Sequence, residues 1–269
     1  MPGMASQWRP AGGGRRVSSR NEMLDRIRKA LKRPGGRPAQ PPPAGGDPPA
    51  GGVMPPIAPD EVLPKFELEL GKVGGLTYRA ASLDGLESTL RKILESAPAP
   101  SVVLSRNPLL SQLRLEARLR EWGVSIAAWP DGEDQLKPED RAAYREACFA
   151  ASAGITGVDF VLAETGSLVL TSRTEGSQLA SLAPPVHIAL FRENQVIESL
   201  DEVLEKLRLS RDADQPTPGR SVVFVTGPSR TADIEQILIR GVHGPREVHA
   251  ILVEEPCLAS TAGRSVPSR

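Results

Sequence analysis

From Asp60 onward the apolar positions of the chain alternate between helical and extended spacing. Leu63, Phe66 and Leu70 recur at helical intervals, which predicts a helix over Asp60–Leu70 with Pro64 near its first turn. Leu76–Ala80 is a short strand. Leu83, Leu86, Leu90 and Leu94 share one face of a helix over Ser82–Ser96, and Ser82 suits its N-cap because a hydroxyl accepts a free end amide. Ser101–Leu104 and Val124–Ala128 are apolar enough for strands, while Pro108–Glu121 and Pro138–Ala151 are helical. Farther on, Leu200–Leu207 is a helix, and Ser221–Val225, Gln236–Ile239 and Glu247–Val253 are strands. Alternation of this kind predicts an α/β layer sandwich with mostly parallel strands.

The stretch Gly154–Arg192 breaks that alternation. Phe160–Ala163 and Leu168–Leu170 are short apolar runs on either side of the polar corner Glu164-Thr165-Gly166-Ser167. Two strands joined at a glycine-containing turn are the simplest reading. After a loop rich in Gly and Ser, Pro184 and Pro185 lead into a third strand, Val186–Phe191, which carries His187.

The ends have a different pattern. Ser19-Arg20-Asn21-Glu22 fits a capping box, and Met23, Leu24, Ile27 and Leu31 fall on one helical face. Pro34 ends this amphipathic helix, Ser19–Arg33, which reads either as a docking helix for a partner or as one that folds back on its own domain. Pro34–Pro59 is crowded with Pro and Gly and reads as a linker. The chain thus divides into residues 1–59 (tail, short helix and linker), an α/β domain over 60–255, and a tail over 256–269.

Charge and cysteine content narrow the functional classes. Lys+Arg and Asp+Glu each number 33, so there is no electrostatic footprint for nucleic acid or an anionic membrane surface. Aromatics are only 4% of residues, which leaves the core to Leu, Val, Ile and Ala and argues against base stacking. Cys148 and Cys257 form no C-x-x-C pair and no cluster-ligand set surrounds them, which favours a reducing compartment over a disulfide framework. Each reads as a small buried hydrophobe or as a reactive thiol. No stretch approaches the ~20 apolar residues of a membrane span, and Met1–Arg20 holds no apolar leader core. The expectation is a cytoplasmic protein.

Three turns carry candidate chemistry. At the first, Glu164 is an acid, base or acyl-accepting nucleophile, or else a hydrogen-bonded turn residue beside Thr165, Gly166 and Ser167. Nearby His187 either lines a pocket or is a core histidine. The second is Thr226-Gly227-Pro228-Ser229-Arg230-Thr231, where a buried strand ends and Thr231 suits the cap of a short helix. Its free amides and Arg230 suit a carboxylate or phosphate; Asp233 and Glu235, already placed to complement the helix dipole, favour plain capping instead. The third is Gly241–Pro245, where His243 faces a cleft or is merely solvated. There is no P-loop, no G-x-G-x-x-G after a strand, no complete G-x-S-x-G elbow at Ser229 and no zinc-ligand spacing.

Taken together, Thr156-Gly157-x-Asp159, Ala163–Leu170, Pro184–Ile188, Thr226–Glu235 and Gly241–Arg246 resemble the lactate utilisation C group of the LUD-domain family, over about Asp60–Glu254. The resemblance implies a layered α/β/α sandwich similar to ribose-5-phosphate isomerases and CoA transferases. It also implies work beside two iron–sulfur partner proteins in oxidising L-lactate to pyruvate. The clusters would sit in the partners, with no cofactor in this chain. As a non-redox subunit it would bind a small carboxylate through Arg230, with hydroxyl and amide donors from Thr165–Ser167 and Thr226–Ser229 and with His187 or His243 polarising a hydroxyl, or it would dock the partners. The alternative is a stand-alone enzyme using Glu164 on a CoA ester or sugar phosphate.

Overall fold

The computed structural model describes residues 24, 28, 29, 55–95, 101–130, 137–212, 219, 221–232, 238–241 and 243–262. The chain forms two compact units, Met1–Gly51 and Gly52–Arg269. In the first, Leu24, Arg28 and Lys29 are helical, and the rest of the expected Ser19–Arg33 helix lies outside the described residues. So do the expected linker up to Met54 and the end of the 256–269 segment beyond Ala262.

The second unit is built around six parallel strands. In chain order the elements are α1 (Val62–Lys72), β1 (Leu76–Ala80), α2 (Leu83–Leu94), β2 (Ser101–Leu104), α3 (Pro108–Gln112), α4 (Leu115–Glu121), β3 (Ser125–Ala128), α5 (Pro138–Ala150) and β4 (Ala153–Thr156). There follow β5 (Phe160–Leu162), β6 (Ser167–Thr171), α6 (Ser172–Glu175), α7 (Leu179–Leu182), β7 (Val186–Phe191), β8 (Val196–Ile197) and α8 (Leu200–Asp212). The remainder comprises β9 (Val222–Val225), β10 (Arg230–Ala232), β11 (Leu238–Arg240), β12 (Glu247–Val253) and α9 (Glu255–Ala262). The parallel sheet has the order β1-β12-β7-β4-β2-β3, and a four-stranded sheet has the order β8-β5-β6-β9. This is the expected α/β sandwich.

Side-chain alternation along the parallel strands assigns each face its cover. Val102, Leu104, Ile155, Ile188, Leu190 and Ile251 pack with α2, α3, α4 and α9 on one face. Helix α2 buries Leu83, Leu86, Leu90, Ile93 and Leu94 there, and the Ser82 hydroxyl accepts the Gly85 amide, as the cap expected. On the other face, Ala189, Phe191, Ala250 and Leu252 meet α1 and the four-stranded sheet, while Val103 meets Tyr144 and Cys148 of α5. Phe66 of α1 packs edge-on against Phe191, with ring centroids 5.5 Å apart. Burying one such side chain contributes about 1.5–3 kcal/mol.

Several expectations change. Pro108–Glu121 is two helices, because Arg114 adopts a left-handed backbone (φ 51°) between α3 and α4. The leucine spacing runs on through the break, so the pattern hides it. The hairpin β5–β6 forms as expected, with Phe160 opposite Val169, but Val186–Phe191 does not extend it. That strand instead lies between β12 and β4 in the parallel sheet. Thr231 caps no helix: Arg230–Ala232 pairs antiparallel with Leu238–Arg240. Residues 233–237 lie outside the described residues. The segment after Pro256, expected to fray, begins as α9, with Cys257 and Leu258 buried beside α2.

Topology places the clefts. The connections that follow β3 and β4 pass to the face of α5 and the four-stranded sheet, whereas the one that follows β2 passes to the face of α3 and α4. Chain leaving neighbouring strands in opposite directions opens a crevice beyond their carboxyl ends. Here there are two, one on each side of the Ser105–Asn107 loop that follows β2.

Candidate functional site

The structure brings the first two candidate turns together. Thr165 and Ser167 hydroxyls lie 2.7 Å apart, and Ser167 and Thr226 hydroxyls 2.6 Å apart, a continuous chain of hydrogen bonds linking the ends of β6 and β9. Both turns press against the end of α1. Gly166 (φ 67°) leaves no room for a side chain, since a Cβ there would lie 2.2 Å from the Leu70 nitrogen. Gly227 (φ 84°) is similarly closed, with the Val73 side chain 2.7 Å from such a Cβ. Arg230, expected to receive a carboxylate, donates instead to the backbone carbonyl of Val73 at the end of α1. β9 pairs antiparallel with β6 in the four-stranded sheet, so the strand-end rule for parallel sheets that nominated Thr226 and Gly227 does not apply to them.

The other candidates lie elsewhere. The Glu164 carboxylate accepts the Leu200 amide at 3.1 Å, at the start of α8. The backbone amide of Ser229 donates to the Pro245 carbonyl, tying its turn to the exposed His243 segment. Thr231 is a strand residue. His187, on β7, is wholly buried, its Nε2 2.9 Å from the Thr156 hydroxyl. Its Nδ1 has no hydrogen-bond partner among the described residues. Burial, assisted by His249, lowers its pKa to about 3, so the ring is neutral at pH 7.

The concentrated chemistry is at the carboxyl ends of β2, β4 and β7. Glu175, at the end of α6, is fully buried. It accepts hydrogen bonds from the Ser105 hydroxyl and the Asn107 side-chain amide, both in the loop after β2. No cation pairs with it among the described residues, and burial raises its pKa to about 7, with the two hydrogen bonds opposing and the Asp159 charge adding to the rise. Asn107 also accepts the Leu109 amide at 3.0 Å and so caps α3. Asp159, after β4, accepts the Thr171 amide at 2.7 Å and the Thr174 hydroxyl at 2.8 Å. Burial lifts its carboxyl above the ordinary range as well, the Thr174 and Thr171 hydrogen bonds opposing.

Two clefts flank this cluster. One, of about 270 Å³, is lined by Asn107, Asp159, Thr174, Arg192, Asn194 and Gln195. Arg192 donates to the Gln112 side chain, but its buried Nε has no partner among the described residues. An unpaired guanidinium N–H beside a carboxyl whose proton is held more tightly than usual suits a ligand bearing both a carboxylate and a hydroxyl. The second cleft opens between the ends of β2 and β3 and is the larger, about 580 Å³.

Sequence reasoning passed over this cluster. The available signals were Asn107-Pro108 directly after a buried strand, the Thr156–Asp159 motif, and Glu175 between hydroxyl and glycine neighbours.

Residues 63–253 match the LUD domain. The chain belongs to the LUD-domain family. Among its relatives is "Lactate utilization protein C" of Halalkalibacterium halodurans, 29% identical over 66% of this chain and 73% of the relative. The protein of the same name from Deinococcus radiodurans is 28% identical over 86% of this chain and 94% of the relative. A crystal structure described as a DUF162 family protein from Deinococcus radiodurans aligns with a TM-score of 0.47 at 22% identity, covering 74% of this chain and 99% of that one. In this LUD domain the matched span contains both clefts and every residue of the carboxyl cluster. No described helix is long and apolar enough to cross a membrane.

Proposed function

We propose that this LUD-domain chain serves lactate utilisation in the cytoplasm as a non-redox subunit. It holds a small 2-hydroxy carboxylate in the crevice between β2, β4 and β7 and works beside two iron–sulfur proteins that take the electrons. The kinship with proteins named lactate utilization protein C supports the metabolic role. The observation that carries the ligand class is Arg192, whose Nε has no partner among the described residues, in a crevice with Asp159. Arg192 receives the carboxylate, and Asp159 accepts a hydrogen bond from the 2-hydroxyl.

The redox centres belong to other chains on this reading. Iron–sulfur clusters are held mostly by sets of about four thiolates. This chain has two cysteines, both buried, with burial pushing the Cys148 thiol up to about 11 and raising that of Cys257. Neither is disposed to ionise and bind iron. Glu164, central to a stand-alone transferase, has its carboxylate engaged at the start of α8.

Calorimetric titration of L-lactate into the purified chain, wild type and Arg192→Ala, tests the site. Saturable binding weakened at least about tenfold by the substitution is the expected result. Anaerobic purification of a tagged chain from its host, with lactate-dependent dye reduction in the eluate, tests the assembly. Equal binding in wild type and variant overturns the site, and a colourless, inactive eluate overturns the partnership.

A further inference from the structure

The larger cleft, between the ends of β2 and β3, has a different chemistry from the lactate crevice. Arg106 enters it from the loop after β2, Arg114 from the α3–α4 junction and Arg120 from α4, while Glu116 supplies the opposing charge. Arg120 is paired with Glu116 at 2.7 Å, and Arg106 donates to the Arg173 carbonyl. Arg114 is exposed, and its left-handed backbone is uncommon for a side chain of this size. Strain of that kind persists where the surroundings impose it, and it clusters at ligand sites. Ala128, Trp129 and Pro130 line the same cleft, with Leu104 and Leu110. The Trp129 indole stands edge-on to Tyr144, ring centroids 5.0 Å apart, which fixes its position.

We propose that this cleft is a binding site for an organic phosphate, with Arg114 as the principal phosphate contact beside Arg106 and Arg120, and with the organic part lying along Trp129 and Pro130. Three observations meet here. The position beyond parallel strand ends, at a reversal of chain direction, is where ligands of open α/β sheets bind. The volume lies within the range of small-molecule sites. Several guanidinium groups converging on one cleft suit the multiple oxygens of a phosphate better than the single carboxylate of lactate, and an aromatic wall suits an attached ring or chain. The site is separate from the Arg192 crevice and does not depend on the lactate reading.

The test uses the full-length chain and three probes: pyrophosphate, ADP and adenosine. Binding is measured by calorimetry, and the site is reported by the indole N–H resonance of Trp129 in nitrogen-15 spectra. Arg114→Gly removes the guanidinium while relieving the left-handed backbone, so the variant keeps the α3–α4 junction. Arg114→Lys keeps the charge. Pyrophosphate and ADP are expected to bind and shift Trp129, with Arg114→Gly weakening both at least about tenfold and Arg114→Lys less so. Saturating L-lactate leaves both affinities unchanged. Failure of both phosphates to shift Trp129 overturns the proposal, as does equal binding in Arg114→Gly. Adenosine binding as tightly as ADP overturns it too, because the arginines would then contribute nothing.

Discussion

The hydroxyl chain beside α1 and the carboxyl cluster at the strand ends are both polar and built around turns, yet they differ in what their side chains face. Thr165, Ser167 and Thr226 satisfy one another, and Arg230 satisfies a helix-end carbonyl. The hydrogen bonds of that set run to one another and to the end of α1. Around the Ser105–Asn107 loop the balance is incomplete among the described residues: a buried carboxyl with no cation beside it, a second carboxyl with a raised pKa, and a guanidinium N–H without a partner. Abundance of polar residues is therefore a weaker guide to a site than incompletely matched polarity.

Substitutions in both regions test this contrast. The largest effect is expected at Gly166→Ala, where a left-handed backbone and a backbone contact at 2.2 Å oppose the new methyl group. The expected loss is about 3–4 kcal/mol of stability, read by urea unfolding. Lactate binding by the fraction that remains folded should be unchanged; a stable variant that loses lactate would move the site to the turns.

Glu175→Gln should give the next largest change, and one that depends on pH. Because burial raises the folded pKa from 4.5 to about 7, the wild-type contribution is complete below 4.5 and is lost as pH rises towards about 7. At about 1.36 kcal/mol per pH unit, the alkaline loss is about 3 kcal/mol, which the glutamine should remove. Unfolding midpoints between acid and mildly alkaline pH check this. A parallel decline in both proteins would mean that Glu175 does not titrate in this range. His187 acts in the opposite sense: its lowered pKa withdraws stability as pH falls below 6.5 towards about 3.

Smaller effects belong to the turns. Thr226→Val breaks the 2.6 Å contact with Ser167 and should cost about 1 kcal/mol without altering lactate affinity. Glu164→Ala, which removes the acceptor of the Leu200 amide, should cost less, about 0.5–1 kcal/mol. Loss of lactate-dependent activity in a folded Glu164 variant would revive a catalytic role for that residue.

The fold was more legible than the site for a physical reason. Periodicity reports whether a segment buries one face, so α1, α2, β2 and the β5–β6 hairpin could be read directly. It does not report which sheet a buried strand joins, because the apolar run Val186–Phe191 would suit either one. Nor does it reveal one left-handed residue such as Arg114 between two leucine-rich turns. Glycine and hydroxyl clusters draw attention locally, which is why Thr165–Ser167 and Thr226–Ser229 stood out. The crevice residues come from four separate segments around Asn107, Asp159, Glu175 and Arg192, and only the strand order makes them neighbours.

Asn107 illustrates how narrowly such a connector can be specified. Its carbonyl oxygen caps α3 while its amide nitrogen donates to Glu175. Hydrolysis of that amide to aspartate, the common chemical ageing of asparagine, would turn the donor into a second acceptor facing a carboxyl. The usual route begins when the next residue's backbone nitrogen loses its proton and attacks the side-chain carbonyl. The next residue here is Pro108, whose ring nitrogen carries no hydrogen. The residue that starts α3 thus also shields the loop from chemical ageing, and the contact between Asn107 and Glu175 should last as long as the folded protein does.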